Sequence, residues 1–210
     1  MARGAELAGI AVGGGELAQL GELLRGLDLA GACFGVVALD SLITGATIEP
    51  GDAAIGLPSS GLHSNGYTLA RAALSDVPMD DERLGRPLGE ILLEPTEIYV
   101  QQILELIASD VEVRGLAHIT SGGLGNLLRL EADGGFEIDE PLPVPPVFNL
   151  IQSLGDVGDE EMREVFNMGC GFVAVVAAAD EDLALDLLRA HYPGANRIGR
   201  ASASDGIQLA

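Results

Sequence analysis

Pro58-Ser59-Ser60-Gly61-Leu62-His63-Ser64-Asn65-Gly66-Tyr67 packs three serines, an imidazole, an amide and two glycines into one connector between an apolar run and a helical pattern. Small donors and free backbone N–H groups at the start of a helix suit an anion, phosphate above all. The same residues also fit a plain strand-to-helix turn in which Ser64 or Asn65 caps the helix.

His118-Ile119-Thr120-Ser121-Gly122-Gly123-Leu124 repeats the design of strand, polar glycine loop and helix, so the two loops are expected to face one pocket. His118 has a second reading, as a core histidine satisfied by backbone groups. Phe166-Asn167-Met168-Gly169-Cys170-Gly171 is a third glycine turn, placed before a strand, where Asn167 either binds a ligand or holds the turn. Glu16, behind Gly13-Gly14-Gly15, either helps to hold a metal–nucleotide pair or is surface charge. The chain shows no serine or cysteine triad pattern and no His-rich metal spacing. Having no lysine, it cannot carry a GxxxxGK[ST] phosphate loop.

These residues need a scaffold. Ala2 to Gly9 reads as a short helix that reaches a glycine turn and looks like the end of something begun elsewhere. Leu29 to Leu39 (LAGACFGVVAL) reads as a buried strand and Asp40 to Asp52 as a connector. A fresh strand starts at Ala53 to Leu57, with a helix from Tyr67 to Leu74 and an acidic loop from Asp76 to Arg86. A long helix runs from Pro95 to Ala108, its buried face carrying Tyr99, Ile103, Leu106 and Ile107. Val113 to Ile119 is a strand followed by a short helix to Leu130. Helices at Pro145 to Leu154 and Asp159 to Val165, a strand at Phe172 to Ala178, a helix at Asp182 to His191 and closing strands from Arg197 complete the pattern. The class is α+β, a mixed sheet with flanking helices.

Composition bounds the partners. The chain has 210 residues, 48% of them apolar, which is enough to bury a core. Its 32 Asp and Glu oppose 11 basic residues, all arginine, for a net charge of −21. Such a polyanion is repelled by nucleic acid and by anionic lipid. Lysine is absent and aromatics make up only 4%, and with the carboxylate excess this reads as adaptation to a salt-rich cytoplasm. Val165 to Ala179 runs about 15 residues without a charge, short of the roughly 20 that a membrane helix needs. Met1-Ala-Arg-Gly-Ala-Glu lacks a secretory pattern, and Cys33 and Cys170 read as two buried free thiols of a cytoplasmic protein.

Taken together, four segments resemble aminoimidazole ribonucleotide synthetase, the phosphoribosylformylglycinamidine cyclo-ligase family: GDAAIGLPSSGLHSNGYTLAR, ILLEPTEIYV, AHITSGGL and VFNMGCGF, in that order. Related ATP-using families that make selenophosphate, thiamine diphosphate or hydrogenase ligands fit the SSGLHSNGY segment less well. The resemblance implies a C-terminal mixed α/β sandwich at 53–210, a connector at 41–52, and at 1–40 a remnant of the N-terminal ATP-binding α/β domain. It implies ATP and Mg²⁺ as cofactors, and ring closure of formylglycinamidine ribonucleotide to aminoimidazole ribonucleotide in purine biosynthesis. Ser59, Ser60, Gly61, His63, Ser64, Asn65, Gly66, His118, Thr120, Gly122, Gly123 and Asn167 would hold the ribonucleotide or its phosphate. Gly14, Gly15 and Glu16 would touch the nucleotide cofactor; no residue is assigned to a metal or to catalysis.

The departures are equally specific. The family's Asp-rich Mg–ATP segment does not occur. Its G-G-E-T-A-E-M-P signature reads Gly14-Gly15-Glu16-Leu17-Ala18-Gln19-Leu20-Gly21 here, and the residues after the second glycine loop shorten to Gly125-Asn126. The expected chain is thus a C-terminal portion, inactive without the missing half, which pairs with that half or as a homodimer. The alternative is a non-catalytic module of the same fold used for binding or assembly.

Overall fold

The computed structural model describes residues 1–19, 21 and 26–209. It divides into two units, Met1–Leu42 and Ile43–Ala210. The first contains helix α1 (Ala2–Ala8), closed by Gly9 in the left-handed conformation, and then irregular backbone. Leu29 to Leu39 is not the expected buried strand. Its backbone pairs with no other strand, and Phe34 and Val36 are almost fully exposed. A strand needs a neighbour to accept its N–H and C=O groups, and none is present among the described residues. Cys33 is exposed for the same reason, whereas Cys170 is buried as expected. Leu20 of the altered glycine signature lies outside the described residues.

The second unit is built on strands β1 (Ala53–Pro58), β2 (Val113–His118), β3 (Gly135–Ile138), β4 (Cys170–Val176), β5 (Asn196–Ser202) and β6 (Ile207–Leu209). They form one sheet in the order β2-β4-β1-β5-β3-β6. Every pairing is antiparallel except β3 with β6, so the sheet is mixed. Alternation along the central strands sends side chains to two cores. Ala54, Ile119, Cys170, Val173 and Val175 face one side. Ile55, Leu57, Phe172, Ala174 and Val176 face the other, where helices α4 (Val100–Ile107) and α7 (Glu181–Arg189) cover them with Ile103, Leu106, Leu185 and Leu188.

A third core joins α2 (Tyr67–Ala73), α3 (Leu88–Leu92), α5 (Pro146–Gly155) and α6 (Asp159–Val165) around Phe148 and Phe166, whose rings lie 5.5 Å apart. Gly123–Arg129 is a 3-10 helix. No helix among the described residues is long and apolar enough to cross a membrane. Helix α4 starts at Val100, not at Pro95, and Ile107 is exposed. The intervening residues have another use: the Pro95 carbonyl and the Thr96 hydroxyl bond to the Ser59–Gly66 loop.

Residues 43–52 pack on the sheet. Gly51 N–H donates to the Ala201 carbonyl, and Asp52, only 4% exposed, receives Arg114 from β2 at 3.0 Å. The same guanidinium bonds Glu49 and Glu112. These acceptors hold Arg114 more firmly protonated than an ordinary arginine.

Candidate functional site

The loop that leaves β1 is held at nearly every residue. Ser59 N–H donates to the Gly169 carbonyl at 2.9 Å, and its hydroxyl donates to Asn167 Oδ1 at 2.9 Å. Asn167 Nδ2 donates to the Gly61 carbonyl at 2.8 Å, while Oδ1 also accepts Gly169 N–H at 2.9 Å. Asn167 is 4% exposed. One buried amide therefore ties the Ser59–Gly66 loop to the Asn167–Gly171 turn.

Further along, Ser60 Oγ donates to the Pro95 carbonyl at 2.7 Å, and Ser64 and Thr96 share a hydroxyl–hydroxyl bond at 3.0 Å. Tyr99 Oη donates to the Pro58 carbonyl at 2.8 Å. Gly66, at φ 76°, is the residue before α2; neither Ser64 nor Asn65 caps that helix. A side chain at Gly66 would collide with the Phe166 ring, which explains the glycine independently of its backbone angle.

His63 sits inside this loop at φ 59°, a left-handed conformation costly for a residue with a Cβ. It is 5% exposed. Its Nε2 accepts the Ser60 N–H at 3.2 Å, and its Nδ1 is buried without a partner. Burial, and secondarily the neighbouring His118, lower its pKa to about 4. The ring is therefore neutral near pH 7, with its proton on Nδ1.

His118 ends β2 with its ring 6.3 Å from His63 and 6.4 Å from Phe172. It is not a core histidine: the residue is exposed, and partial cover of its ring lowers its pKa. Gly171 lies under this group. A Cβ there would strike the Tyr99 hydroxyl and His63 Cε1. Cys170 beside it is a protonated thiol, pushed up to about 12 by burial.

The second glycine loop runs from half-buried Thr120 into the 3-10 helix. Gly122 N–H donates to the Glu164 carbonyl at 2.6 Å and Gly123 N–H to the Thr120 carbonyl at 3.0 Å. Gly123, at φ 53°, faces the Arg163 and Phe166 carbonyls so closely that no Cβ fits. Asn126 Nδ2 donates to the Gly123 carbonyl at 2.7 Å and to the Ser121 carbonyl at 3.3 Å, which leaves its buried Oδ1 without a partner. A cleft of about 1030 Å³ opens beside this loop, lined by Gly122, Gly125, Asn126, Arg129, Arg163 and Asn167 among others.

The structure thus joins Ser59, Ser60, Gly61 and Asn167 directly, places His63 beside His118, and links Ser64 to the start of the next segment. Asn65 is half-buried at the loop's outer end. Gly14, Gly15 and Glu16 are exposed on irregular backbone, and no side chain would meet a Cβ at either glycine. Among the described residues, no three His, Cys, Asp or Glu side chains converge to hold a metal ion. Sequence reasoning missed Tyr99, Thr96, Gly171 and Asn126. Thr96 and Tyr99 sat in a segment read as helix, and the role of Asn126 depends on carbonyls that only the folded loop brings near.

Glycine loops gathered at the ends of a mixed sheet, with two buried polar atoms left unpaired beside them, define an α+β domain with a candidate ligand site. Residues 49–210 match the family described as AIR synthase related protein, C-terminal domain, and the chain belongs to that family. It is 51% identical over 208 residues to the phosphoribosylformylglycinamidine cyclo-ligase of Pyrococcus furiosus, covering 98% of this chain and 60% of that protein. It is also 51% identical over 202 residues to that of Methanothermobacter thermautotrophicus, covering 92% and 59%. The chain thus spans about three fifths of the length of these relatives. Among solved structures, Escherichia coli HypE, a hydrogenase maturation protein, shares the fold at a TM-score of 0.53 and 21% identity, covering 79% of this chain and 48% of that one. The thiamine-monophosphate kinase of Stenotrophomonas maltophilia does so at 0.51 and 19%, covering 82% and 54%.

Proposed function

We propose that this chain is the ribonucleotide-holding part of a phosphoribosylformylglycinamidine cyclo-ligase, the activity for which its curated relatives are named. The observation that carries the reading is the convergence of its motif segments. Asn167 bonds the Ser59–Gly66 loop to the third glycine turn, and the imidazoles of His63 and His118 stack beside them.

Ring closure joins an amidine nitrogen to a formyl carbon, and ATP supplies the phosphoryl group that turns the formyl oxygen into a leaving group. The chain's own share is positioning. Rigid loops hold the ribonucleotide so that nitrogen and carbon stay in register, which removes the entropic part of the barrier. His63, neutral and buried, offers the ligand one hydrogen bond from Nδ1 and no charge. That suits a carbonyl, amide or hydroxyl oxygen better than a phosphate. In this reading, the carboxylates that handle Mg²⁺ and the triphosphate come from outside the described residues, and the net charge of −21 suits a cytoplasmic, salt-rich setting.

The test is titration of formylglycinamidine ribonucleotide into the chain carrying ¹⁵N-labelled histidine and asparagine. Saturable shifts of His63 Nδ1 and the Asn167 amide are expected. Saturation confined to other residues, or none at all, overturns the reading.

A further inference from the structure

β2 is the last strand of the sheet and pairs only with β4. Ile119 N–H donates to the Gly171 carbonyl of β4, so alternation turns the backbone N–H and C=O groups of Leu116 and His118 away from β4. Among the described residues no strand pairs with that edge. Edges of this kind are usually blunted by a charge or a proline. Leu116 and a neutral His118 supply neither, and the one charged residue of β2, Arg114, is held by Glu49, Asp52 and Glu112.

Helix α4 borders the same edge. Gln102 accepts a bond from Tyr192 Oη at 3.1 Å and Glu105 lies 3.2 Å from His191, so this side of α4 faces the end of α7, which packs over β1 and β5. Ile103 and Leu106 point into the core against the sheet, where Val113 and Leu116 meet them. At 3.6 residues per turn, Val100, Leu104 and Ile107 share the remaining flank, opposite α7 and towards β2. They are 40%, 52% and 40% exposed. Leu183 and Leu187, the exposed leucines of α7, alternate with exposed Asp182 and Asp186, whereas the one charge on α4, Glu105, is on the side facing α7. In a chain of net charge −21, this flank carries three apolar side chains and no carboxylate.

We infer that the β2 edge and the Val100–Leu104–Ile107 flank form an interface with a second copy of this chain, related by a two-fold axis perpendicular to the sheet. An edge strand pairs antiparallel with its own copy, and Leu116 opposite the partner's His118 exchanges backbone bonds in both directions. The same axis keeps the two α4 helices on one side of the seam, so their apolar flanks close over it. Charge selects this occupant. A face built for a cationic partner presents carboxylates, and two polyanions meet at least cost where neither carries charge. The interface uses the backbone of His118 and leaves its ring to the site described above, so the inference goes beyond the reading of that site and does not rest on it.

The test is sedentation equilibrium of the 210-residue chain in about 0.1 M and about 2 M KCl, joined to hydrogen exchange. A dimer is expected, tighter in the concentrated salt because the contact is neutral and the repulsion around it is screened. The amides of Leu116 and His118 should exchange more slowly as dimer forms. Leu104→Glu, at an exposed position, should raise the dissociation constant at least about a hundredfold by placing an unpaired carboxylate in the seam, and should return both amides to fast exchange. Leu183→Glu, on α7, should leave the dimer intact. Unchanged melting temperatures at high dilution, where the chain is monomeric, would show that both variants fold. A monomer at about 100 μM in either salt, association that Leu104→Glu leaves unchanged or that weakens in concentrated salt, or equal loss in Leu183→Glu overturns the inference. Association through the exposed Leu29 to Leu39 segment, which leaves Leu116 and His118 unprotected, overturns it too, as does protection of those amides only by the co-expressed N-terminal portion of a curated relative.

Discussion

The backbone N–H of Ser60 donates to Nε2 of His63 at 3.2 Å, and that bond decides where the imidazole proton sits. With Nε2 occupied as an acceptor, a second proton would break the bond and place a charge in a site 5% exposed. The lowered pKa of about 4 makes this a stability statement. The unfolded chain, with an ordinary histidine near 6.5, binds the proton more readily. The neutral imidazole therefore contributes its full stability above pH 6.5 and loses it as pH falls from 6.5 towards 4. Urea denaturation at pH 7.5 and pH 4.5 should show a drop of up to about 3 kcal/mol from this group. In His63→Gln the drop should shrink by most of that amount; an unchanged drop would place the sensitivity elsewhere.

Asn167→Ala removes a buried amide that makes three bonds to two segments. The expected loss is about 2 to 4 kcal/mol, because the Gly61 carbonyl and the Gly169 N–H are left behind without partners. Hydrogen exchange should quicken at Ser59 and Gly169 together. Independent behaviour of the two would separate segments that Asn167 is held to join.

Gly171→Ala tests the aromatic group from below. The new methyl must push aside Tyr99, which then gives up the Pro58 carbonyl, or His63. Overpacking of this kind costs about 1 to 3 kcal/mol, and calorimetry should show it as a lower melting temperature. A neutral result would mean that Tyr99 moves freely.

How much of this was legible in the sequence depended on whether the signal was local. β1 and α5 announced themselves through an apolar run and a periodicity that end in proline and glycine. β3 (GFEI) did not, because the alternation of Phe136, Glu137 and Ile138 is too short to stand out after Asp133-Gly134, and the strand is held by its pairing with β5 and β6. Leu29 to Leu39 is the opposite case, an apolar run with strand composition and no partner strand in the described chain. The glycine loops were found as candidates from residue types alone. The orphan atoms at His63 and Asn126 could not be found that way, since an unpaired group is a property of everything folded around it.

The net charge of −21 sets a further expectation. Carboxylate repulsion is long-ranged in dilute buffer and is screened within about 3 Å near 1 M salt. Melting in about 0.1 M and about 2 M KCl should give a clearly higher midpoint in the concentrated salt. An equal or lower midpoint would contradict adaptation to a saline interior.

The most direct test of the account is a cyclisation assay with formylglycinamidine ribonucleotide, ATP and Mg²⁺ at high salt, run on this chain with and without the co-expressed N-terminal portion of a curated relative. Among its described residues no three His, Cys, Asp or Glu side chains converge to hold a metal ion, and the chain spans about three fifths of the length of its relatives. Aminoimidazole ribonucleotide is therefore expected only in the paired reaction, with Asn167→Ala lowering its rate. Turnover by the chain alone would contradict the assignment of ATP chemistry to groups outside it. No turnover in a stable, folded pair would contradict the ring-closing reading itself and leave a non-catalytic binding module.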